Sequence, residues 1–95
     1  MTDLATGPVA ADIRSRLERA LAPTGLALVD ESALHRGHAG HDGRGESHFR
    51  LEIESAAFAG KSRVARQRLV YAALGELMTE RVHALTIRAK APGEA

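Results

Sequence analysis

Polar and apolar side chains alternate without a break in residues 48–54, His-Phe-Arg-Leu-Glu-Ile-Glu. Successive side chains of a β-strand point to opposite faces of a sheet, so Phe49, Leu51 and Ile53 are predicted to share one buried face. The residues between them are predicted to face solvent. The strand therefore belongs to a sheet with one covered and one open face, and the chain on either side must supply the cover.

A helix is predicted before this strand, over residues 8–22. Its apolar residues recur every four positions, at Val9, Ile13, Leu17 and Leu21. Pro8 is tolerated in the first turn of a helix, and Pro23 and Gly25 mark its end. The short apolar run over residues 26–31 is predicted to be another strand.

A second helix is predicted after the strand. Ala59 and Gly60 indicate a turn, and Ser62 is a residue type that caps helices. A wide apolar stripe extends this helix to Thr79, with a separate short turn as an alternative over residues 62–65. The stripe consists of Val64, Leu69, Val70, Ala73, Leu74, Leu77 and Met78.

The order of the elements restricts the topology. Residues 26–31 and 48–54 fit an antiparallel pair of strands joined by a polar loop. Residues 82–89 are predicted to be a last strand, and it follows a helical crossover of the kind that leads to a parallel neighbour. The simplest solution is an α+β domain with a three-stranded mixed sheet and its helices packed on one face.

The composition limits both the core and the class of protein. The chain has 95 residues, of which 44% are hydrophobic and 3% aromatic. The core is therefore predicted to be aliphatic, built around Phe49, Phe58 and Tyr71. Such a thin core leaves little room for a deep pocket, which argues against an enzyme. No apolar run approaches a membrane span and the N-terminus has no signal-peptide pattern, so we predict a cytoplasmic protein that does not enter a membrane.

A polar, glycine-rich segment separates the first two predicted strands, over residues 32–46. It contains His35, His38 and His41, spaced three residues apart. Neutral imidazole is the commonest metal ligand in proteins, and loops of this length inside a compact domain are usually functional or disordered. Solvated loop histidines explain the same spacing equally well, so the segment alone does not establish a metal site.

The absence of cysteine is more restrictive. Because the chain has no cysteine, it can form neither a disulfide framework nor an iron–sulfur cluster held by its own thiolates. It could bind a 2Fe–2S cluster only through imidazoles on one iron, with a cysteine-bearing partner supplying the thiolates. His83, at the start of the last predicted strand, is a candidate ligand. Since it is in phase with Leu85 and Ile87, a hydrogen-bonded histidine at the edge of the core is the alternative.

A cluster of basic residues opens the second predicted helix. It consists of Lys61, Arg63, Arg66 and Arg68, with no acidic residue among them. Such a cluster is an electrostatic footprint for phosphate groups. However, the net charge of the chain is only +1 and no aromatic residue interleaves with the cluster, so a solvated helix face explains it as well.

Several short motifs, taken in order, resemble the BolA family over residues 9–94. They are Asp30-Glu31-Ser32 with His35, Gly37-His38, Ser47-His48-Phe49, Phe58-Ala59-Gly60-Lys61-Ser62, Arg66-Gln67-Arg68-Leu69-Val70-Tyr71, and Val82-His83-Ala84-Leu85. The resemblance implies a class II KH-like fold of the order α-β-β-α-α-β, whose extra helix would be the short turn before the main second helix. It also implies a BolA-like domain over residues 8–95, and the small and polar residues 1–7 before it are predicted to form a flexible N-terminus.

The resemblance implies a function as well. BolA-like proteins pair with monothiol glutaredoxins and share a bridging 2Fe–2S cluster, to which the glutaredoxin gives a cysteine and bound glutathione a second thiolate. In this sequence His83 matches the histidine of the family's His-Ala-Leu motif and His35 matches the loop ligand, with His38 and His41 as alternatives. The expected function is an adaptor in iron–sulfur trafficking or iron-linked regulation, and the isolated chain is expected to carry no metal.

The family resemblance implies a second role, as a DNA-binding transcriptional regulator. DNA would contact the helix-turn-helix-like segment of residues 61–79, through the basic cluster described above. The family pattern has a histidine where this chain has Gln67, which weakens that surface as a partner or DNA site. The sequence leaves open whether the chain forms a homodimer.

Overall fold

The computed structural model describes residue 5 and residues 7–31 and 48–94. Its helices are α1 (Pro8–Leu21), α2 (Arg63–Leu74) and α3 (Leu77–Glu80), and its strands are β1 (Gly25–Asp30), β2 (His48–Glu54) and β3 (Ala84–Lys90). A 3-10 turn, Ala56–Phe58, lies between β2 and α2. The predicted polar loop over residues 32–46 lies outside the described residues.

The three strands form one mixed sheet with β2 in the centre. β1 is antiparallel to β2, and β3 is parallel to it. The register places Leu28, Leu51 and Ile87 in one row across the sheet. The predicted α+β fold with the order α-β-β-α-α-β and a three-stranded mixed sheet is therefore confirmed.

The helices cover one face of this sheet. Ile13 and Leu17 of α1 and Leu74 of α2 have no exposed surface, and Phe49 and Leu51 of β2 are buried with them. Along β3 exposed and half-buried residues alternate, which is expected of an edge strand whose inner face is only partly covered. The predicted alternation of residues 48–54 thus sets which face of β2 packs against the helices.

Two predicted core residues lie at the surface instead. Tyr71 is 41% exposed and Val64 is 54% exposed. Both are in α2, whose buried residues are Val70 and Leu74. The apolar stripe predicted for this helix is wider than the strip that the sheet can cover, so its outer members remain in contact with solvent.

The second predicted helix is divided at Gly75. This glycine has a positive φ of 55°, and its N–H donates to the carbonyl oxygen of Tyr71 at 2.9 Å, which ends α2. Arg16 of α1 also donates to the carbonyl oxygen of Leu74, at 3.0 Å, where a cation is favourable at a helix C-terminus. The short helix predicted before the main one therefore follows it, as α3. Ser62 caps α2 as predicted, accepting from the Ala65 N–H at 3.1 Å.

Ser55 links three elements in the interior. Its hydroxyl donates to the carbonyl oxygen of Leu21 at the end of α1 (2.5 Å) and accepts from the N–H of Ala57 in the 3-10 turn (3.1 Å). It is the only polar residue that is buried among those the structure describes. Because both hydrogen bonds replace bonds to water, Ser55 holds the end of β2 against α1 without leaving a buried polar group unpaired.

Ala5, which precedes α1, belongs to the core. The N–H of Ala5 donates to the carbonyl oxygen of Leu28 at 2.8 Å, and Ala5 is buried with the core. The predicted domain boundary at residue 8 stays a prediction. No helix among the described residues has the length and apolar character needed to cross a membrane.

Candidate functional site

Both histidines among the described residues, His48 and His83, lie at the same end of the sheet. Because β1 is antiparallel to β2 and β3 is parallel to it, the last residue of β1 and the first residues of β2 and β3 lie at the same end. Glu31, just after β1, donates its N–H to the carbonyl oxygen of His48 at 2.7 Å. The segment that carries the three loop histidines is therefore attached to the sheet at this end.

His83 lies at this end of the sheet, one residue before β3. Its side chain is exposed, so the alternative of a histidine at the edge of the core is wrong. The predicted last strand begins two residues later than expected, at Ala84, which leaves His83 in the bend before it. In this position its imidazole is accessible from solvent.

His48 is a neighbour of His83 that sequence reasoning did not identify as a site residue. The centroids of the two rings are 5.9 Å apart and their planes make an angle of 82°, an edge-to-face arrangement. His48 is half-buried at the start of β2 and pairs in register with Ala84. Its position as the first residue of the alternating strand was visible in the sequence, but its proximity to His83 depends on the parallel pairing of β2 and β3.

Among the described residues, the two imidazoles of His48 and His83 are not part of a larger set of metal ligands. They contain no set of three or more histidine, aspartate or glutamate residues placed to hold one metal ion. His35, His38 and His41 lie outside the described residues. The neighbouring imidazoles of His48, which is half-buried, and His83, which is exposed, are thus the nitrogen ligands that the described residues present at this end of the sheet.

A second surface, which we call the basic groove, runs between the start of α2 and the edge strand β3. Its basic residues are Lys61, Arg63, Arg66 and Arg88, and the rest of its lining is Gln67 of α2 and Thr86, Ile87 and Ala89 of β3. Arg88 was missed at the sequence level because it is far from the cluster in the chain. The fold adds it to the cluster because β3 packs beside α2. Arg68 does not line this groove.

Arg66 is already engaged within the protein. Its two terminal nitrogens donate to the two carboxylate oxygens of Glu94, at 2.6 and 2.8 Å. Its Nε donates to the carbonyl oxygen of Lys61 at 2.9 Å, and one terminal nitrogen also reaches the carbonyl oxygen of Ala89 at 3.2 Å. Arg66 therefore joins the start of α2, the end of β3 and the C-terminal residues, and much of its charge is balanced by Glu94.

The pair with Glu94 makes stability depend on pH. The hydrogen bonds from Arg66, and then the one from the Ala91 N–H, lower the pKa of Glu94 from its ordinary value of 4.5 to about 2. A carboxyl whose pKa is lower in the folded state stabilises the fold above its unfolded pKa, and this contribution is lost as the pH falls from 4.5 towards 2. Glu94→Gln, which cannot ionise, is therefore expected to melt at a lower temperature than the wild type at neutral pH.

The measurement is the melting temperature of both proteins between pH 7 and pH 2, in low salt. The difference between them should be constant above pH 5 and shrink as the pH approaches 2. Added salt should reduce it at neutral pH, because the Glu94 carboxylate is exposed to solvent. A difference that is the same at all pH values would show that Glu94 does not act through its charge.

Comparison with known proteins identifies the family. The family model described as BolA-like protein matches residues 17–94. The chain belongs to the BolA-like family. BolA-like protein 1 of Mus musculus is 47% identical over 90 residues, which cover 95% of this chain and 63% of that protein. The BolA domain of SufE1 from Arabidopsis thaliana has a TM-score of 0.84 at 46% identity, with 96% of this chain and 100% of that domain covered.

This chain is shorter than several of its BolA-like relatives, so membership of the family does not carry the activity of those whole proteins over to it. The chain spans just under two thirds of the mouse BolA-like protein 1. Protein BOLA1, chloroplastic, of Arabidopsis thaliana is 42% identical over 88 residues, covering 90% of this chain and 55% of that protein. BolA-like relatives thus include an organellar protein, and the cytoplasmic location of this chain stays a prediction.

Proposed function

We propose that this BolA-like protein is an adaptor, without a catalytic step of its own, that binds a monothiol glutaredoxin and shares a bridging 2Fe–2S cluster with it. The observation that carries the proposal is the exposed His83, next to His48, at the end of the sheet where the histidine-rich segment is attached. Its task would be iron–sulfur trafficking or iron-linked regulation.

The ligand set follows from what the chain contains and lacks. His83 would give one nitrogen to an iron of the cluster, and His35 would give the second, with His38 and His41 as its alternatives. Imidazole ligation of one iron leaves the other iron in need of thiolates, which this chain does not have. The glutaredoxin cysteine and a bound glutathione would supply them, so neither protein holds this form of the cluster alone.

Anaerobic reconstitution tests the proposal. A monothiol glutaredoxin is loaded with iron and sulfide in the presence of glutathione, with and without one equivalent of this protein. The readouts are visible circular dichroism of the oxidised cluster and EPR of the reduced cluster. We expect a new spectrum with mixed nitrogen and sulfur ligation when both proteins are present. A spectrum identical to that of the glutaredoxin alone would overturn the proposal.

The basic groove supports nucleic-acid binding as a second candidate function. Lys61, Arg63 and Arg88 are exposed along it, whereas the charge of Arg66 is largely balanced by Glu94. Binding through lysine and arginine contacts to phosphates releases counterions, so affinity should fall steeply as salt rises. The protein would then act as a transcriptional regulator that binds DNA through residues 61–79.

Fluorescence anisotropy with a labelled DNA duplex, over a range of salt concentrations, tests this candidate. The double variant Arg63→Ala, Arg88→Ala should bind more weakly, and its salt dependence should be shallower by about two phosphate contacts. Arg19→Ala, an exposed arginine on α1, is the control and should bind as the wild type does. Absence of DNA binding at low salt would contradict a nucleic-acid-binding function.

A further inference from the structure

Strand β3 is an edge strand, since in the described part of the chain it pairs with β2 on one side and with no strand on the other. The carbonyl oxygen of Lys90 accepts from the N–H of Ser55, just beyond the end of β2. The carbonyl oxygen of Ala89 accepts instead from the Arg66 side chain of α2, at 3.2 Å. Neighbouring residues of a strand direct their main-chain groups to opposite sides, so the N–H and carbonyl oxygen of Ile87 point, like those of Ala89, to the open side of β3.

The basic groove runs along this open side. It has a volume of about 650 Å³, which is typical of clefts that bind ligands, and Ile87 is a half-buried part of its lining. Lys61 and Arg63 are exposed at the start of α2, and Arg88 is exposed on β3. The first turn of α2 has no acidic residue, so the positive end of the helix dipole adds to these charges. The groove therefore places a positive potential beside main-chain groups that can accept a further strand.

A carboxylate of the chain itself binds at one end of the groove. Glu94 accepts from both terminal nitrogens of Arg66, and it also accepts from the main-chain N–H of Ala91, just after β3, at 2.9 Å. A groove arginine and a main-chain N–H next to the edge strand thus act together on one acidic side chain. The three other basic residues of the groove form no ion pair with a described residue, so they are available to a second molecule.

Charge and main-chain geometry decide which partner fits the groove. A second copy of this chain would bring the same basic residues to the same edge, and like charges that face each other across a strand pair are destabilising. Nucleic acid would contact the charges and leave the main chain of β3 unused, and the groove has no aromatic side chain on which a base could stack. An extended acidic peptide uses both features, because a strand added to a sheet edge binds through main-chain hydrogen bonds and through its side chains.

We propose that the open edge of β3 binds an extended, acidic segment of a partner protein as a fourth strand of the sheet. The main chain of this segment would form hydrogen bonds with Ile87. Its acidic side chains would pair with Lys61 and Arg63 on one face and with Arg88 on the other, because alternate side chains of a strand point to opposite faces. The surface contains no histidine, so the proposal is independent of the shared cluster, and it competes with DNA for the same groove.

The probe is a synthetic peptide of about eight residues in which glutamate and valine alternate, with both ends blocked. NMR of the isotope-labelled protein measures the affinity and, by hydrogen exchange, the protection of each main-chain N–H. We expect saturable binding at low salt, and an exchange rate of the Ile87 N–H that falls by about tenfold or more. The same peptide with lysine in place of glutamate should not bind. Absence of binding, or binding that leaves the Ile87 N–H unprotected, would overturn the proposal.

Two variants separate charge from strand pairing. The double variant Lys61→Glu, Arg63→Glu should weaken peptide binding by about tenfold or more, whereas Arg19→Glu, an exposed position on α1, should bind as the wild type does. Ile87→Pro removes the edge N–H and keeps every charge of the groove, and proline is tolerated in edge strands where the N–H does not face the neighbouring strand. This variant should lose peptide binding.

The same measurements distinguish a peptide from DNA as the partner. A folded Ile87→Pro variant that binds the peptide as tightly as the wild type would contradict strand addition. If that variant does not fold, the protection of the Ile87 N–H in the wild type decides between the two outcomes. A DNA duplex that binds the groove while the acidic peptide does not would assign the groove to nucleic acid and overturn the proposal.

Discussion

Replacing His83 by alanine is expected to abolish the mixed-ligand spectrum that this protein forms with a monothiol glutaredoxin. The substitution removes one nitrogen ligand from the iron that this chain would hold, and the chain has no thiolate to take its place. Because His83 is exposed, its loss should change the free energy of unfolding by no more than about 0.5 kcal/mol. The visible spectrum should revert to that of the glutaredoxin alone while the urea unfolding curve stays the same.

A second variant separates ligation from simple contact with the partner. His83→Cys restores a metal-binding atom at the same position, so it should keep a shared cluster with an altered spectrum, richer in sulfur ligation. A merely structural histidine would not be rescued in this way. If His83→Ala keeps the mixed spectrum, His83 is not a ligand, and the proposed ligand set at this end of the sheet would have to be abandoned.

Phe58→Ala is expected to cause a large loss of stability, because Phe58 is one of the two largest fully buried side chains among the described residues. Phe58 has no exposed surface, and it lies in the 3-10 turn between β2 and α2. Its N–H donates to the carbonyl oxygen of Ser55 and its own carbonyl oxygen accepts from the Lys61 N–H, both at 3.1 Å, so the main chain at this position is held in place when the ring is removed. The cavity left by the ring should therefore cost about 3 to 5 kcal/mol. Domains of this kind are stable by roughly 5 to 15 kcal/mol, so much of the stability would be lost.

Urea denaturation followed by far-ultraviolet circular dichroism measures this loss, and Tyr71→Ala is the matched control. Tyr71 is an aromatic residue of α2 with 41% of its surface exposed. Its removal leaves no enclosed cavity, so the cost should be about 1 kcal/mol or less. Equal losses for the two variants would contradict the core described above and would indicate that Phe58 and Tyr71 are buried alike.

Local pattern predicted most elements of this fold, and its two errors in the second predicted helix have separate causes. The alternation through residues 48–54 and the four-residue spacing in α1 depend on local geometry, and both elements appear where they were predicted. The stripe of the second helix was misjudged at Val64 and Tyr71, because periodicity shows which residues are apolar and not how wide the covered strip is. The break at Gly75 was missed because a single glycine inside an apolar stripe is compatible with a continuous helix.

Composition and local pattern were sufficient to establish three properties of this protein. The chain supplies no thiolate to a metal, it pairs two antiparallel strands before a parallel one, and it carries ordered motifs that resemble the BolA family. Each of these depends on residues that are present or absent, or that are near one another in the chain.

The tertiary structure supplied the contacts between residues that are distant in the sequence. His48 lies beside His83 because β2 and β3 run parallel in one register. Arg88 joins Lys61 and Arg63 because the edge strand packs next to the start of α2. The pairing of Arg66 with Glu94 spans 28 residues. Sequence spacing carries no information on such distances, which are set by strand register and helix packing.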